Sequence, residues 1–282
     1  MQKKFLTLAI AAAVAAPLAA NADVTIYGKL DVSYNFVDND SATAGNQQDS
    51  YQDISSNSSR LGFKGSEDLG GGLKAIWQME TSVGVDDTSR IPFDRNTWVG
   101  LAGDWGQVRM GRHDTPFKIV GRKADFFQSR QLGENRIVTA RSVGGLGWDV
   151  RASETIAYIS PDFNGFHGAI AYVPEGISGG QEDSDAWSMM GMYSNGPLMV
   201  GAGYETHSET LAGGGDEEDA FRLVGKYKFG DFTVGGMWQS MDGQGAGDVD
   251  SDLWGLGGAY AFGNNKLKLQ YYDREDDLAG AD

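Results

Sequence analysis

Ser59-Arg60-Leu61-Gly62-Phe63-Lys64-Gly65-Ser66-Glu67-Asp68-Leu69-Gly70-Gly71-Gly72-Leu73-Lys74-Ala75-Ile76-Trp77-Gln78-Met79-Glu80 holds two alternating runs, Ser59 to Gly65 and Leu73 to Glu80, around the turn-forming segment Glu67 to Gly72. Period-two runs separated by glycines predict a β-hairpin. Leu61 and Phe63 share one face, with Arg60, Gly62 and Lys64 on the other. In the second run Leu73, Ala75, Trp77 and Met79 oppose Lys74, Gln78 and Glu80, and Ile76 is the one apolar intruder. A soluble sheet buries such an apolar face, whereas a membrane barrel turns it to lipid and points the charges into an aqueous lumen. Alternation by itself leaves both open.

Met1 to Ala22 combines Lys3 and Lys4, an apolar stretch from Phe5 to Leu18 and the ending Ala20-Asn21-Ala22. That is the pattern of a secretory signal peptide cleaved before Asp23. Its apolar run is shorter than the ~20 residues of a membrane-spanning helix. The segment carries two lysines and no acid, so its removal takes the formal charge from −16 to −18. Nucleic acid is excluded as a partner, because phosphate binding needs a basic surface. With no cysteine, neither a disulfide framework nor a thiolate metal site can be built, and no cofactor is expected. Mean hydropathy is −0.36, and no later apolar run reaches helical span length. A membrane location therefore requires a closed barrel, since only helices and barrels satisfy every backbone hydrogen bond in lipid. Forty-one glycines against six prolines suit many strands and tight turns.

Val24 to Val37 reads as one long strand, with Val24, Ile26, Leu30, Val32, Tyr34 and Phe36 opposite Thr25, Lys29, Asp31, Ser33 and Asn35; Asp38 to Asp53 reads as a loop. Short turns recur at Gly103 to Gly106, Pro161 to Gly165, Asn195 to Pro197, Gly230-Asp231 and Gly263 to Asn265. Longer acidic or Gly-rich segments intervene at Gly84 to Arg90, Glu175 to Asp185, Glu209 to Asp219 and Asp242 to Asp252. Bacterial outer-membrane barrels alternate connections in this way. Phe221, Leu223, Tyr227 and Phe229 oppose Arg222, Lys226 and Lys228, and Leu267, Leu269 and Tyr271 oppose Lys266, Lys268 and Gln270. Aromatic residues at strand ends, such as Phe229, Phe232, Tyr260 and Phe262, fit interfacial girdles. Residues 92–103 and 185–195 alternate poorly.

The hairpin's wording, together with Arg95-Asn96-Thr97-Trp98-Val99-Gly100-Leu101, Gly106-Gln107-Val108-Arg109-Met110-Gly111-Arg112 and Tyr158-Ile159-Ser160-Pro161-Asp162-Phe163-Asn164-Gly165-Phe166, resembles the Gram-negative general diffusion porins, particularly the neisserial and related proteobacterial branch. The resemblance implies an all-β, transmembrane antiparallel β-barrel of sixteen strands, a homotrimer set among outer-membrane lipid and lipopolysaccharide, passing small ions and hydrophilic solutes. About thirteen strands are countable here, so residues 23–282 are expected to be a porin barrel incomplete at its C-terminus, with about three strands beyond Asp282.

A porin's chemistry is a charged constriction. The resemblance places a basic ladder on one wall, carried over by motif to Lys29, Arg60, Arg95 and Arg151, and carboxylates on an inward-folded third loop. Periodicity independently puts Lys29 and Arg60 on the wet face. The third loop, about 114–148, is longer than ordinary connections and holds Phe117, Ile119, Val120, Phe126, Phe127, Leu132, Ile137 and Val138, so it is expected to pack on the inner wall. Its acids are Asp114, Asp125 and Glu134, of which Asp125 and then Glu134 are the candidates to face the ladder. Lys118, Arg122, Lys123, Arg130, Arg136 and Arg141 outnumber them, so the constriction is expected to favour small anions despite the acidic total.

Two rival readings remain. A hydrolase needs a nucleophile, a base and an orienting group, yet His113, His167 and His207 stand on separate segments with no nucleophile motif beside them. A plugged structural or adhesin barrel would share every strand pattern above. Acidic runs such as Asp216 to Asp219 could bridge to lipopolysaccharide through divalent cations, although solvated loops are the simpler reading. For the export signal, N-terminal sequencing of protein from outer-membrane fractions should begin at Asp23. A chain still starting at Met1 there would overturn the assignment.

Overall fold

The computed structural model describes residues 23–37, 51–85, 93–128, 133–140, 147–174, 185–208, 217–244 and 249–277. The export signal and most of the long connections expected at 84–90, 175–185 and 209–219 lie outside them. In chain order come β1 (Asp23–Lys29), β2 (Val32–Val37), β3 (Tyr51–Ser56), β4 (Arg60–Gly70), β5 (Leu73–Ser82), β6 (Thr97–Gly103) and β7 (Gly106–Asp114). The helices α1 (Pro116–Ala124) and α2 (Arg136–Thr139) follow. Then come β8 (Arg151–Ile159), β9 (Phe166–Val173), β10 (Ala186–Asn195), β11 (Leu198–His207), β12 (Glu218–Phe229), β13 (Phe232–Gln244), β14 (Val249–Phe262) and β15 (Asn265–Asp277).

Thirteen strands form one antiparallel sheet in the order β1, β4, β5 and then consecutively to β15; β2 and β3 pair separately. The decisive hairpin is β4–β5, with Phe63 opposite Met79 and Lys64 opposite Gln78. Its strands extend through Glu67 and Asp68, which had been read as turn, and the reversal falls at Gly71-Gly72, whose φ values of 62° and 82° suit glycine. Strands β13 and β14 likewise run into the loop expected at 242–252.

The single strand expected from Val24 to Val37 is two. At Asp31 the backbone N–H donates to Ser59 Oγ (2.9 Å), Ser59 Oγ donates back to the Asp31 carbonyl (3.0 Å), and Asn57 N donates to the same carbonyl (2.7 Å). These bonds replace ladder bonds and turn the chain away. β2 then pairs with β3, whose Tyr51 to Asp53 had been assigned to the loop.

The outer face carries Ile26, Val99, Ile156, Leu256 and Leu269, all strongly exposed, with Leu269 at 76% and Ile26 at 67%. An apolar surface this continuous is a liability in water and a match for lipid. Aromatic contacts edge it: Phe166 packs tilted against Tyr193 (4.3 Å between centroids), and Phe229, Phe232, Tyr260 and Phe262 form a chain of stacked pairs.

The inner face is the one α1 lies against. Thr115 caps α1, its Oγ1 accepting from Lys118 N, and Pro116 opens it with a φ already suited to a helix. Phe117, Val120 and Ala124 point at the wall, where Val120 and Ala124 pack with Met192, Val224, Met237 and Leu253. Phe117 N also donates to Ser188 Oγ (3.0 Å). This packing explains the poor alternation at 185–195. On β10 the loop buries Ala186 and Met192 on the inner face, while Trp187 and Met189 are exposed on the outer one.

The return limb of the loop is held by charge. Arg222, wholly buried on β12, donates through Nη1 to Asp149 Oδ1 (2.6 Å) and through Nη2 to Asp149 Oδ2 (3.0 Å). Its Nη1 also reaches the Phe117 carbonyl (3.1 Å), its Nε donates to Gln239 Oε1 (2.7 Å), and its plane lies 3.9 Å from the Phe117 ring centre. Gln239 Nε2 donates to the Thr139 carbonyl (2.9 Å), and Thr139 Oγ1 donates to Asp149 (2.6 Å). Beside this network His207 lies between Glu205 (3.2 Å) and Glu218 (2.8 Å) and stacks on Trp148.

Removing one partner of a buried pair strands the other, at a cost of about 3–5 kcal/mol. Asp149→Asn should therefore lower unfolding free energy in detergent by about 3 kcal/mol, and the apolar pair Arg222→Met with Asp149→Leu should recover most of it. Denaturant titration checks this. A loss under about 1 kcal/mol would place the anchorage of the loop elsewhere.

Candidate functional site

A narrow polar cavity lies between the loop and the wall formed by β4 to β8. Arg95 and Arg151 line it from the wall, and Lys118, Arg122, Arg136, Asp125, Glu134 and Asp149 from the loop. The structure thus brings together two rungs of the expected ladder, Arg95 and Arg151, and both expected acids.

Glu80 organises the upper rungs. Its register partner is Gly62, so it faces inward beside Arg60 and Tyr27. Arg95 Nε donates to Glu80 Oε1 at 2.5 Å, Tyr27 Oη donates to Oε2 at 3.0 Å, and Arg60 Nε lies 3.7 Å from Oε2. Arg95 and Glu80 are both buried. Lys29, at the end of β1, is paired instead with Asp31.

Asp114 organises the lower group. Its carboxylate lies 2.9 Å from Lys118 Nζ, 3.0 Å from Arg151 Nη2 and 3.5 Å from Arg122 Nη1. Arg151 Nε also donates to Asn96 Oδ1 (2.8 Å), which fixes the guanidinium plane. Burial pulls the Lys118 ammonium below its usual lysine range, and Asp114 opposes that pull. Three cations share one carboxylate, so the group keeps positive charge.

Asp125 is buried beside Phe126, but both its oxygens accept backbone N–H bonds, from Phe127 (2.9 Å) and Gln128 (3.0 Å). It shapes the loop tip as well as charging the cavity. The tip is held across the lumen by Gln270 Oε1, which accepts from Phe126 N (3.1 Å). Of the other loop residues singled out above, Ile137 is exposed, while Arg130, Leu132 and Arg141 lie outside the described residues.

One inner cation escaped the sequence reading. Arg109 sits on β7 opposite Gly100, its guanidinium 4.1 Å from the Trp98 ring centre. It donates to Gln107 Oε1 (2.7 and 3.1 Å) and to His113 Nε2 (2.9 Å). An arginine can only donate, so Nε2 accepts, and the proton sits on Nδ1, which donates to the Asp114 carbonyl (2.5 Å). Arg109 has no carboxylate within 4 Å among the described residues. The alternation of Gln107, Arg109 and Gly111 could have marked it.

Across residues 7–282 the chain matches the family described as Gram-negative porin. It is 32% identical over 187 residues to the major outer membrane protein P.IB of Neisseria gonorrhoeae, covering 65% of this chain and 51% of that one. It is 34% identical over 212 residues to the outer membrane porin protein 32 of Delftia acidovorans, covering 72% and 59%. Among solved structures, the anion-selective porin from Comamonas acidovorans superposes with a TM-score of 0.77 at 28% identity, over 91% of this chain and 80% of that one. The chain spans about half the length of the curated relatives it matches first.

Proposed function

The chain belongs to the Gram-negative porin family, with the transmembrane antiparallel β-barrel fold of that family, and on that premise we propose that it forms a water-filled channel through the outer membrane for passive diffusion of small hydrophilic solutes and ions, with a preference for anions. It carries no reaction. Residues 1–22 serve as the export signal, the segment at about 114–148 narrows the lumen, and the assembled protein is a homotrimer among outer-membrane lipid and lipopolysaccharide.

The observation that carries the anion preference is the charge balance of the cavity. Five cations line it against three carboxylates, and one of these, Asp149, is consumed by Arg222. Glu80 neutralises only part of Arg60 and Arg95, and Asp114 only part of Lys118, Arg122 and Arg151. Acids on the outer loops are screened from this point by a Debye length of about 8 Å at physiological salt. The neighbouring anion-selective structure supports the same sign.

The test is the reversal potential across a potassium chloride gradient in planar bilayers. Wild type should favour chloride. Arg60→Gln with Arg95→Gln should reduce or reverse that preference. Glu80→Gln should strengthen it: a unit charge about 8 Å from the ion path in water contributes roughly 0.5 kcal/mol, a factor of about two. Cation preference in wild type, or no shift in the arginine variant, would refute the ladder. Absence of stepwise currents would favour the plugged barrel.

A further inference from the structure

An apolar groove of about 440 Å³ crosses the outer face of β9 to β12, near their short turns. Gly168, Gly191 and Ala202 stand in one register row and form its floor, and Leu223 closes that row on β12. Phe166, Tyr193 and Val200 make the next outward row on the short-turn side, and Ile170, Met189 and Tyr204 make it on the other. Those two rows stand roughly 13 Å apart along the strands, and between them the surface drops by the height of a side chain. The residues that alternate with the floor turn inward, where Met192 is buried against Val120 and Ala124 of α1.

Nothing within the chain requires the floor to be bare at its centre. Gly191 has no positive φ, and a Cβ added to it would meet nothing within 4 Å. Two other outer-face glycines are roofed by neighbours: a Cβ at Gly65 would strike the Trp77 ring, and one at Gly236 the Leu256 side chain. A glycine inside a strand weakens it, and it marks a bend, crowding or the close approach of another molecule. At Gly191 the bend and the crowding are both absent. The walls stay open to the outside, with Phe166 59% and Leu223 46% exposed. At the short-turn edge Tyr193 Oη accepts from Asn195 Nδ2 (2.9 Å), which leaves the phenol's own proton to donate outward.

We propose that this groove is a defined lipid subsite, seating one acyl chain of a phospholipid from the leaflet at the short-turn end. The family's outer-membrane setting puts hydrocarbon against this face. Left empty, the trough would forfeit the dispersion contacts of its lining, and a flexible polymethylene chain is the shape that restores them. Depth selects the lipid. Gly191 precedes the turn residue Asn195 by four positions, roughly 9 Å along the membrane normal for a strand tilted by about 45°. That lies in the half of the apolar band next to the short turns, whereas lipopolysaccharide occupies the leaflet at the long-loop end. Tyr193, nearer the turn, sits where an amphipathic ring meets the headgroups, and its hydroxyl can donate to a glycerol ester or phosphate oxygen. The subsite rests on the membrane orientation of the proposed channel and not on its conduction.

Native mass spectrometry of the folded full chain in detergent, mixed with palmitoyl-oleoyl phosphatidylethanolamine, counts retained lipid without requiring conduction. Wild type should keep one lipid per chain under activation that strips the rest. Gly191→Leu with Ala202→Leu fills the floor and should lower that retention at least about fivefold. Gly258→Leu, on the outer face opposite Val234 and away from the groove, should leave it within about twofold. Equal denaturant midpoints for the filled and wild-type chains would tie the loss to the groove and not to folding. No retained lipid in wild type, equal retention in the filled variant, or retention of lipid A in place of the phospholipid would overturn the subsite. So would a filled variant that loses crosslinked oligomer while keeping its lipid, because the groove would then be a seam between copies. A silent bilayer with lipid retention intact would sink the channel reading alone; chloride currents without such retention would sink the subsite alone.

Discussion

The bidentate contact between Arg222 and Asp149 joins the far wall of the sheet to the return limb of the loop that crosses its interior. A segment of about 35 residues between β7 and β8 has many conformations to lose, and only contacts inside the lumen can hold it there. α1 supplies part of the holding by burying Phe117, Val120 and Ala124. Burial alone fixes no single orientation, because apolar contact is non-directional. The guanidinium adds direction: its planar donors reach Asp149, the Phe117 carbonyl and Gln239 at once, and so fix both limbs of the loop to one point on β12.

The interior charges divide into two populations. Glu80 ties Arg60 and Arg95, Asp114 ties Arg151, Lys118 and Arg122, and Asp149 ties Arg222. These pairings hold side chains in fixed positions in a wet space, where an isolated long side chain would sample many rotamers. Arg109, Lys226, Lys266 and Lys268 are held otherwise, by rings, amides and carbonyls in the cases of Arg109 and Lys226. Among the described residues, none of the four has a carboxylate within 4 Å. An interior can therefore be rigid where it is paired and positive where it is not, within a chain whose total charge is strongly negative.

Much of this was legible in the sequence, and particular residues show why. In a strand the side-chain period is two, so a single inward residue sets the direction of its neighbours; Lys29 and Arg60 were placed on the inner face by alternation, and as register partners they share one face. The short turns at Gly230-Asp231 and Gly263-Asn264 were equally plain, because a two-residue reversal needs residues that tolerate positive φ. Thr115-Pro116 followed by Phe117, Val120 and Ala124 carried the signal of a capped helix, and it went unread inside a segment judged by its length, apolar content and charge.

The tertiary structure decided what local pattern could not. Arg222 alternates like any lumen-facing charge, yet it is sealed under the loop, because its partners Phe117, Asp149 and Gln239 meet only once β12 has its place in the sheet. The break at Asp31 depends on Ser59, 28 residues away, and the seat of the loop tip on Gln270, 144 residues from Phe126. Sequence alone determined the two faces of most strands, which follow from spacing along one strand, and the class of fold, which rested on the resemblance of its motifs to the porins. Which inner charges are neutralised, which are buried and which face solvent was decided by register summed across thirteen strands and by one long loop folding inward. Those are contacts between residues that no local period relates.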